Sequence, residues 1–249
     1  MAAPGRVSRR ARLAPQAPEF PGRLFLQDLS EHPCAAFPDG LSSLSGHEPG
    51  FRKLRMDISV VLFEGFTTLD FTGPVEALQR IPEYSVRYFS LCGGPVGNGK
   101  GLTVETEPMA AITPGILLVP GGFGTRKLVN DGAFISALRK AAEASVCCLT
   151  VCTGSALLAK TGLLDGLAAT SNKRAFDWAV SVNPSVGWQR RARWAKDGKY
   201  YSSSGVSAGI DMALGFISER FGEEKAREIA DAMEYVWNSD PGNDPFAPV

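Results

Sequence analysis

Residues 146–162 read Val-Cys-Cys-Leu-Thr-Val-Cys-Thr-Gly-Ser-Ala-Leu-Leu-Ala-Lys-Thr-Gly. The first six residues form a short apolar, partly β-branched run, suited to a strand buried on both faces as in a parallel sheet. Ser155–Lys160 carries a helical pattern, and Gly162 closes it. Cys152 stands at the join, with small residues after it. A strand that passes through one tight turn into a helix is the building unit of an α/β fold.

The same alternation recurs on either side. Asp57–Phe63 is a β-branched apolar run that reads as a first strand, followed by a turn at Glu64–Phe66 and a helix around Gly73–Arg80 stopped by Pro82. Ser85–Leu91 reads as a second strand and Gly93–Gly101 as a glycine-rich turn. Ile116–Val119 is a third strand that runs into Pro120-Gly121-Gly122, with a helix around Ala133–Ser145 after it. Arg193–Ala195 and Tyr200–Ser203 read as late strands, and Ile210–Phe221 and Lys225–Tyr235 as amphipathic helices. This pattern predicts a doubly wound α/β domain whose mostly parallel sheet is flanked by helices. No internal repeat is present.

Composition narrows the function. The chain has 249 residues, 26 basic against 26 acidic, and 44% of them are hydrophobic. That is enough for a sizeable core. The balanced charge gives no electrostatic footprint for nucleic acid or an anionic membrane. No apolar run approaches the ~18 residues of a membrane span. Five cysteines with no metal-ligand spacing argue against a disulfide framework and fit a reducing, cytoplasmic setting without a bound metal.

Residues 1–55 differ from the rest. They hold 7 of the 17 prolines and carry eight basic against five acidic residues, a net +3 balanced by −3 beyond them. Arg6, Arg9, Arg10 and Arg12 sit in an acid-free start. A disordered extension is the expected reading. A mitochondrial transit signal is weakened by Pro4, Pro15 and Pro18, and a start of translation at Met56 is a third reading. The domain proper is expected over 56–249.

In doubly wound sheets, ligands bind at the carboxyl ends of strands. Three loops satisfy that rule: Gly65–Pro74, Pro120–Thr125 and Cys152–Ser155. Cys152 occupies the position of a nucleophile elbow, where the turn forces a side chain out of the sheet and the next helix favours its thiolate. Cys147 and Cys148, in mid-strand, read as small apolar core residues. The Pro-Gly-Gly-Phe-Gly-Thr loop brings Gly121, Gly122 and Phe123 to the same edge, with backbone N–H groups suited to an oxyanion or substrate. It lacks the Gly-Lys-Ser/Thr ending of a phosphate-binding loop. Asp70 alone would read as an N-cap acid ahead of a helix. However, both histidines, His32 and His47, lie near the start, so Cys152 has no histidine partner in the domain. Asp70 on the same edge is then the candidate general acid, kept protonated by a neighbouring thiolate.

The set TLDFTGPVEAL (68–78), LLVPGGFGT (117–125), VCTGSALLAKTGLLDG (151–166), AATSN (168–172) and SSSGVSAGIDMAL (202–214), with a Glu-Tyr and Pro-Phe tail, resembles the DJ-1/PfpI superfamily. Within it, the pattern is most similar to isonitrile hydratases and their fungal relatives. The resemblance spans 56–249. It implies a flavodoxin-like, DJ-1-like sandwich, a homodimer, no cofactor, and water addition to an isonitrile through a cysteine thioimidate, giving an N-substituted formamide. Cys152 would be the nucleophile, Asp70 the proton donor, and Thr153 with Gly122 would hold water and stabilise charge. Thr153 stands where peptidase-like members and glutaminases have or pair a histidine, which argues against their chemistry. Asn172-Lys173 departs from the His-Trp pair of many bacterial relatives, so substrate choice is expected to differ. Trp178, Trp188 and Trp194 are expected in the core. Two alternatives accompany this reading: DJ-1-type chemistry on glyoxals or glycated groups, and a non-enzymatic redox module in which Cys152 oxidises. No DNA-binding domain is expected beyond the α/β domain, which weakens the comparison with transcription regulators that carry this domain.

Overall fold

The computed structural model describes residues 56–248. The readings offered for 1–55 lie outside the described residues.

The elements in chain order are β1 (Met56–Val61), α1 (Thr68–Leu78), β2 (Tyr84–Ser90), β3 (Gly94–Gly97), β4 (Thr103–Pro108), β5 (Ile116–Val119), α2 (Thr125–Leu128), α3 (Gly132–Ala144), β6 (Cys147–Val151), α4 (Gly154–Lys160), β7 (Ala168–Ala169), α5 (Phe176–Val182), β8 (Gly187–Trp188), β9 (Trp194–Asp197), β10 (Tyr200–Ser203), α6 (Ala208–Phe221) and α7 (Glu223–Ala232). Eight strands form one sheet in the order β3-β4-β2-β1-β5-β6-β10-β9. The pairings from β4 through β10 are parallel, and β3 and β9 add antiparallel edges. This is the doubly wound, mostly parallel α/β sheet that the alternating pattern predicts.

Burial explains the central strands. Ile58, Val60 and Val61 in β1, all of β5 and all of β6 are buried, as expected for strands covered by helices on both faces. The chain moves outward from β1 to β2 on one side and returns to β5 on the other. The strand order therefore reverses beside β1 and β5, the kind of place where such sheets open a crevice.

Two sequence expectations change. The glycine-rich stretch 93–101 is not a simple turn: β3 pairs antiparallel with β4. The bend lies at Gly99 and Gly101, whose φ of 71° and 97° side-chain-bearing residues rarely adopt. In addition, α1 begins at Thr68, so Asp70 lies in its first turn rather than ahead of it. Gly73-Pro74 reads locally as a helix start, because proline favours that position. Here the helix runs through Pro74, and the close pack of α1 on α6 holds it. A Cβ at Gly73 would lie 2.7 Å from Ile210, and one at Gly209 would lie 3.0 Å from Pro74 and Val151. The remaining boundaries shift by a few residues. Cys147, Cys148 and Cys152 are free and buried.

The tail beyond α7 is strapped to the body by buried charge. Arg193 pairs with Asp211 at 2.8 Å and with Asp244 at 3.6 Å, and the Tyr235 hydroxyl donates to Asp211 at 3.0 Å. Among the described residues, no helix is long and apolar enough to cross a membrane.

Candidate active site

Cys152 follows β6 directly and has φ of +58°. A non-glycine residue in that region costs on the order of 1–3 kcal/mol and persists only where its surroundings fix it. They do so on both sides of the residue. The Cys152 N–H donates to the carbonyls of Ser203 and Ser204 at 3.2 and 3.1 Å. Its carbonyl accepts from the Ser155 and Ser171 hydroxyls at 2.9 and 3.0 Å. The turn that follows is tight as well: a Cβ at Gly154 would lie 2.3 Å from the Val119 carbonyl oxygen. This is the strand–turn–helix elbow expected from the sequence.

Asp70 reaches the elbow from α1. It is fully buried, and its Oδ2 accepts from the Gly121 N–H at 2.9 Å. Its Oδ1 has no partner in hydrogen-bonding geometry. The Cys152 thiol and the Val206 N–H lie near enough to favour the carboxylate without closing a well-formed bond. Burial dominates, and it pushes the Asp70 pKa up to about 7.

The thiol is shifted further. Burial, then the Asp70 charge, pushes Cys152 up to about 12, and Thr153 and Asn172 oppose the rise only in part. Burial thus raises both groups: it favours the protonated acid expected from the sequence and disfavours the thiolate expected beside it. Desolvation of Cys152, a residue 7% exposed, opposes what the start of the seven-residue α4 offers a thiolate.

The glycine loop after β5 holds this pair together. The Gly122 N–H donates to Thr153 Oγ1 at 3.0 Å, and the Thr125 hydroxyl lies 3.1 Å from the same oxygen. The N–H groups of Gly121 and Gly122 thus point at Asp70 and Thr153. A Cβ at Gly121 would lie 2.5 Å from Thr153 N and 2.9 Å from Asp70 Oδ2. Gly121→Ala is therefore expected to separate the carboxylate from the elbow at a cost of about 1–3 kcal/mol. Thermal unfolding would show this as a drop of several degrees, and an unchanged melting temperature would show that the loop yields freely.

A cavity of about 420 Å³ opens over Cys152, lined among others by Thr67, Gly122, Thr153 and Asn172. Phe123 stands at its edge, 92% exposed. Asn172 is on the cavity as expected, whereas Lys173 turns away to Asp244 at 3.7 Å, both side chains buried. Of the three tryptophans, Trp194 is in the core, and Trp178 and Trp188 pack half-buried against it. The sequence reading missed Val206, a second side-chain-bearing residue at positive φ (+49°). It also missed Arg126 and Arg174 on the cavity wall. Each lies in or next to a segment the sequence marks, and nothing local says which side chains of those segments reach the site.

The DJ-1/PfpI family matches residues 56–219. The chain belongs to that family. It is 30% identical to the isonitrile hydratase of Pseudomonas putida over 74% of this chain and 80% of that protein. It is 29% identical to the HTH-type transcriptional regulator CdhR of Pseudomonas aeruginosa over 72% of this chain, and spans about half (54%) of that protein. A ThiJ/PfpI family protein from Pseudomonas syringae superposes with a TM-score of 0.67 at 23% identity, covering 83% of this chain and 88% of that one; that likeness concerns the fold. The family thus includes both an enzyme and regulators among the relatives of this chain.

Proposed function

We propose that the protein hydrates an isonitrile to an N-substituted formamide through Cys152. The observation that carries this reading is the buried Asp70–Cys152 pair at the floor of a cavity, in a domain without a histidine. Similarity to a named isonitrile hydratase supports it. In the resting pair, Asp70 takes the proton from the Cys152 sulfur as that sulfur bonds to the terminal carbon of R–N≡C. It then delivers the same proton to that carbon. One S–H bond breaks, one C–S and one C–H bond form, and the product is the thioimidate R–N=CH–S–Cys. Water then adds across the C=N bond with Asp70 as base, and one of its protons goes to nitrogen. Collapse of the adduct breaks the C–S bond, returns the other proton to sulfur and releases R–NH–CHO. Thr153, on the same floor, holds the water in this reading. A carboxyl that titrates close to working pH suits both directions of proton transfer.

The buried, high-pKa thiol weighs against a redox sensor, since oxidation follows thiolate character and exposure. The homodimer implied by the resemblance belongs to this proposal, supported by the exposed apolar side chains Leu69, Phe123, Val206 and Phe246.

The test is turnover of cyclohexyl isocyanide to N-cyclohexylformamide across pH. Because the relay needs Asp70 ionised, kcat/KM is expected to rise through about pH 7. It should show no falling limb up to about pH 9, the thiol titrating far higher. No formamide at any pH would sink the assignment, and a rate that falls as pH rises through 7 would remove Asp70 as the base.

A further inference from the structure

The lining of the Cys152 cavity includes two arginines, Arg126 and Arg174, and no acidic residue, and Asp70 is buried. Arg80, Arg87, Arg139, Arg190, Arg193 and Arg227 all make ion pairs with carboxylates. Among the described residues, Arg126 and Arg174 have none, and the other two arginines without one, Arg191 and Arg220, do not line this cavity. Arg126 is not loose in solvent. Its guanidinium lies 3.5 Å from the ring centroid of Trp178 on α5, a cation–π contact that fixes its position. The backbone of Arg174 is fixed by Asn172, whose Oδ1 accepts the Arg174 and Ala175 N–H groups at 2.9 and 3.1 Å. The same two residues, Asn172 and Arg174, also border a second cavity of about 620 Å³, which has Val206 and Phe246 on its wall. The space over the sulfur therefore has a cationic side next to that second cavity, in which Val206, Phe246 and Pro248 offer apolar surface among polar residues that include Lys173.

Two arginines lining one cavity, neither with a carboxylate partner, favour an oxyanion in that cavity. Their planar forks match a carboxylate in bidentate fashion. We infer that the substrate carries a carboxylate, held by Arg126 and Arg174, with any apolar substituent directed toward Val206 and Phe246. This names the substrate class of the hydration reading and rests on it: an isonitrile bearing a carboxylate close to its isocyano group. Arg126 and Arg174 are then binding residues that set specificity and take no part in proton transfer.

The experiment compares isocyanoacetate with its methyl ester, which differs by the charge alone to first order. It uses the wild-type protein, Arg126→Gln, Arg174→Gln and the double variant. Both positions are exposed, so these variants are expected to fold. In the wild type, kcat/KM for the carboxylate is expected to exceed that for the ester by about tenfold or more. Each substitution should reduce this ratio by about tenfold, the scale of a lost charge-assisted hydrogen bond. A second readout needs no hydration: the relative rates at which iodoacetate and iodoacetamide alkylate Cys152, followed on the peptide that carries it. Any effect of the arginines on thiolate content cancels in that ratio, and the anionic reagent should lose about tenfold relative to the neutral one in the double variant. Absence of turnover with the alkylation ratio moving as stated would refute hydration and uphold anion recognition. Turnover of both substrates with equal kcat/KM, and an alkylation ratio the same in wild type and double variant, would overturn the carboxylate and leave hydration standing.

Discussion

Cys152→Ala is expected to abolish formamide production from cyclohexyl isocyanide, lowering kcat on the order of 10⁴-fold or more, the scale on which enzymes lose activity when a nucleophile is removed. The variant should fold. Alanine removes one small buried sulfur and leaves the backbone anchors of the elbow in place, namely the Ser203 and Ser204 carbonyls on one side and the Ser155 and Ser171 hydroxyls on the other. Cys152→Ser should be nearly as inactive, because a carboxylate titrating near 7 cannot draw the proton from an alcohol as it can from a thiol. Acid-quenched wild-type protein should gain the mass of one isonitrile on the peptide carrying Cys152, and the alanine variant should not. Turnover that survives in Cys152→Ala would remove the covalent step altogether. Loss of turnover without any adduct in the wild type would leave the sulfur necessary but its bond to carbon unsupported.

Why the elbow was legible and its chemistry was not follows from the length scales involved. Cys152 could be placed from six apolar residues before it and a helical pattern after it, since strand, turn and helix are all local. The edge hairpin was not legible: Thr103–Pro108 alternates between exposed and half-buried residues and carries two glutamates, so it lacks the apolar signature of the central strands. The start of α1 was masked by Gly73-Pro74, whose local meaning is overridden by the contacts of Gly73 and Gly209 across the α1–α6 interface. How strongly burial acts on the Asp70–Cys152 pair was not legible for a related reason. Sequence gives the helix start beside the sulfur, whereas the depth at which the sulfur lies is a property of the whole fold, and depth decides. Arg126, Arg174 and Val206 were not singled out, although each lies in or next to a segment the sequence marks, because nothing local says which side chains of those segments reach the site.

Asp70→Asn is the substitution in which the proposed roles pull apart. Turnover is expected to fall by about 10²–10⁴-fold, the usual worth of a positioned acid–base group, because nothing remains to carry a proton from sulfur to carbon. Stability should move the other way. Burial raises this carboxyl from 3.8 to about 7, so the native state binds its proton more tightly than the unfolded state does. Below about pH 4 the group is protonated in both states and costs nothing. As pH rises toward 7 the unfolded chain ionises first and stability is lost, and above 7 the full cost remains. At about 1.4 kcal/mol per pH unit this is roughly 4 kcal/mol. Asparagine keeps an oxygen for the Gly121 N–H and carries no charge, so the variant should melt several degrees above the wild type at pH 8. That advantage should shrink at pH 5. The thiol should respond as well: loss of the Asp70 charge removes one of the causes that hold Cys152 high, so iodoacetamide should alkylate it faster at pH 8 to 9. A variant that is more stable, more readily alkylated and nearly inactive would show that the relay through Asp70, and not the thiolate content of the sulfur, limits turnover. A variant that melts lower at both pH values would mean that the Gly121 contact, and not charge burial, governs the site, and turnover within a few-fold of wild type would exclude the relay.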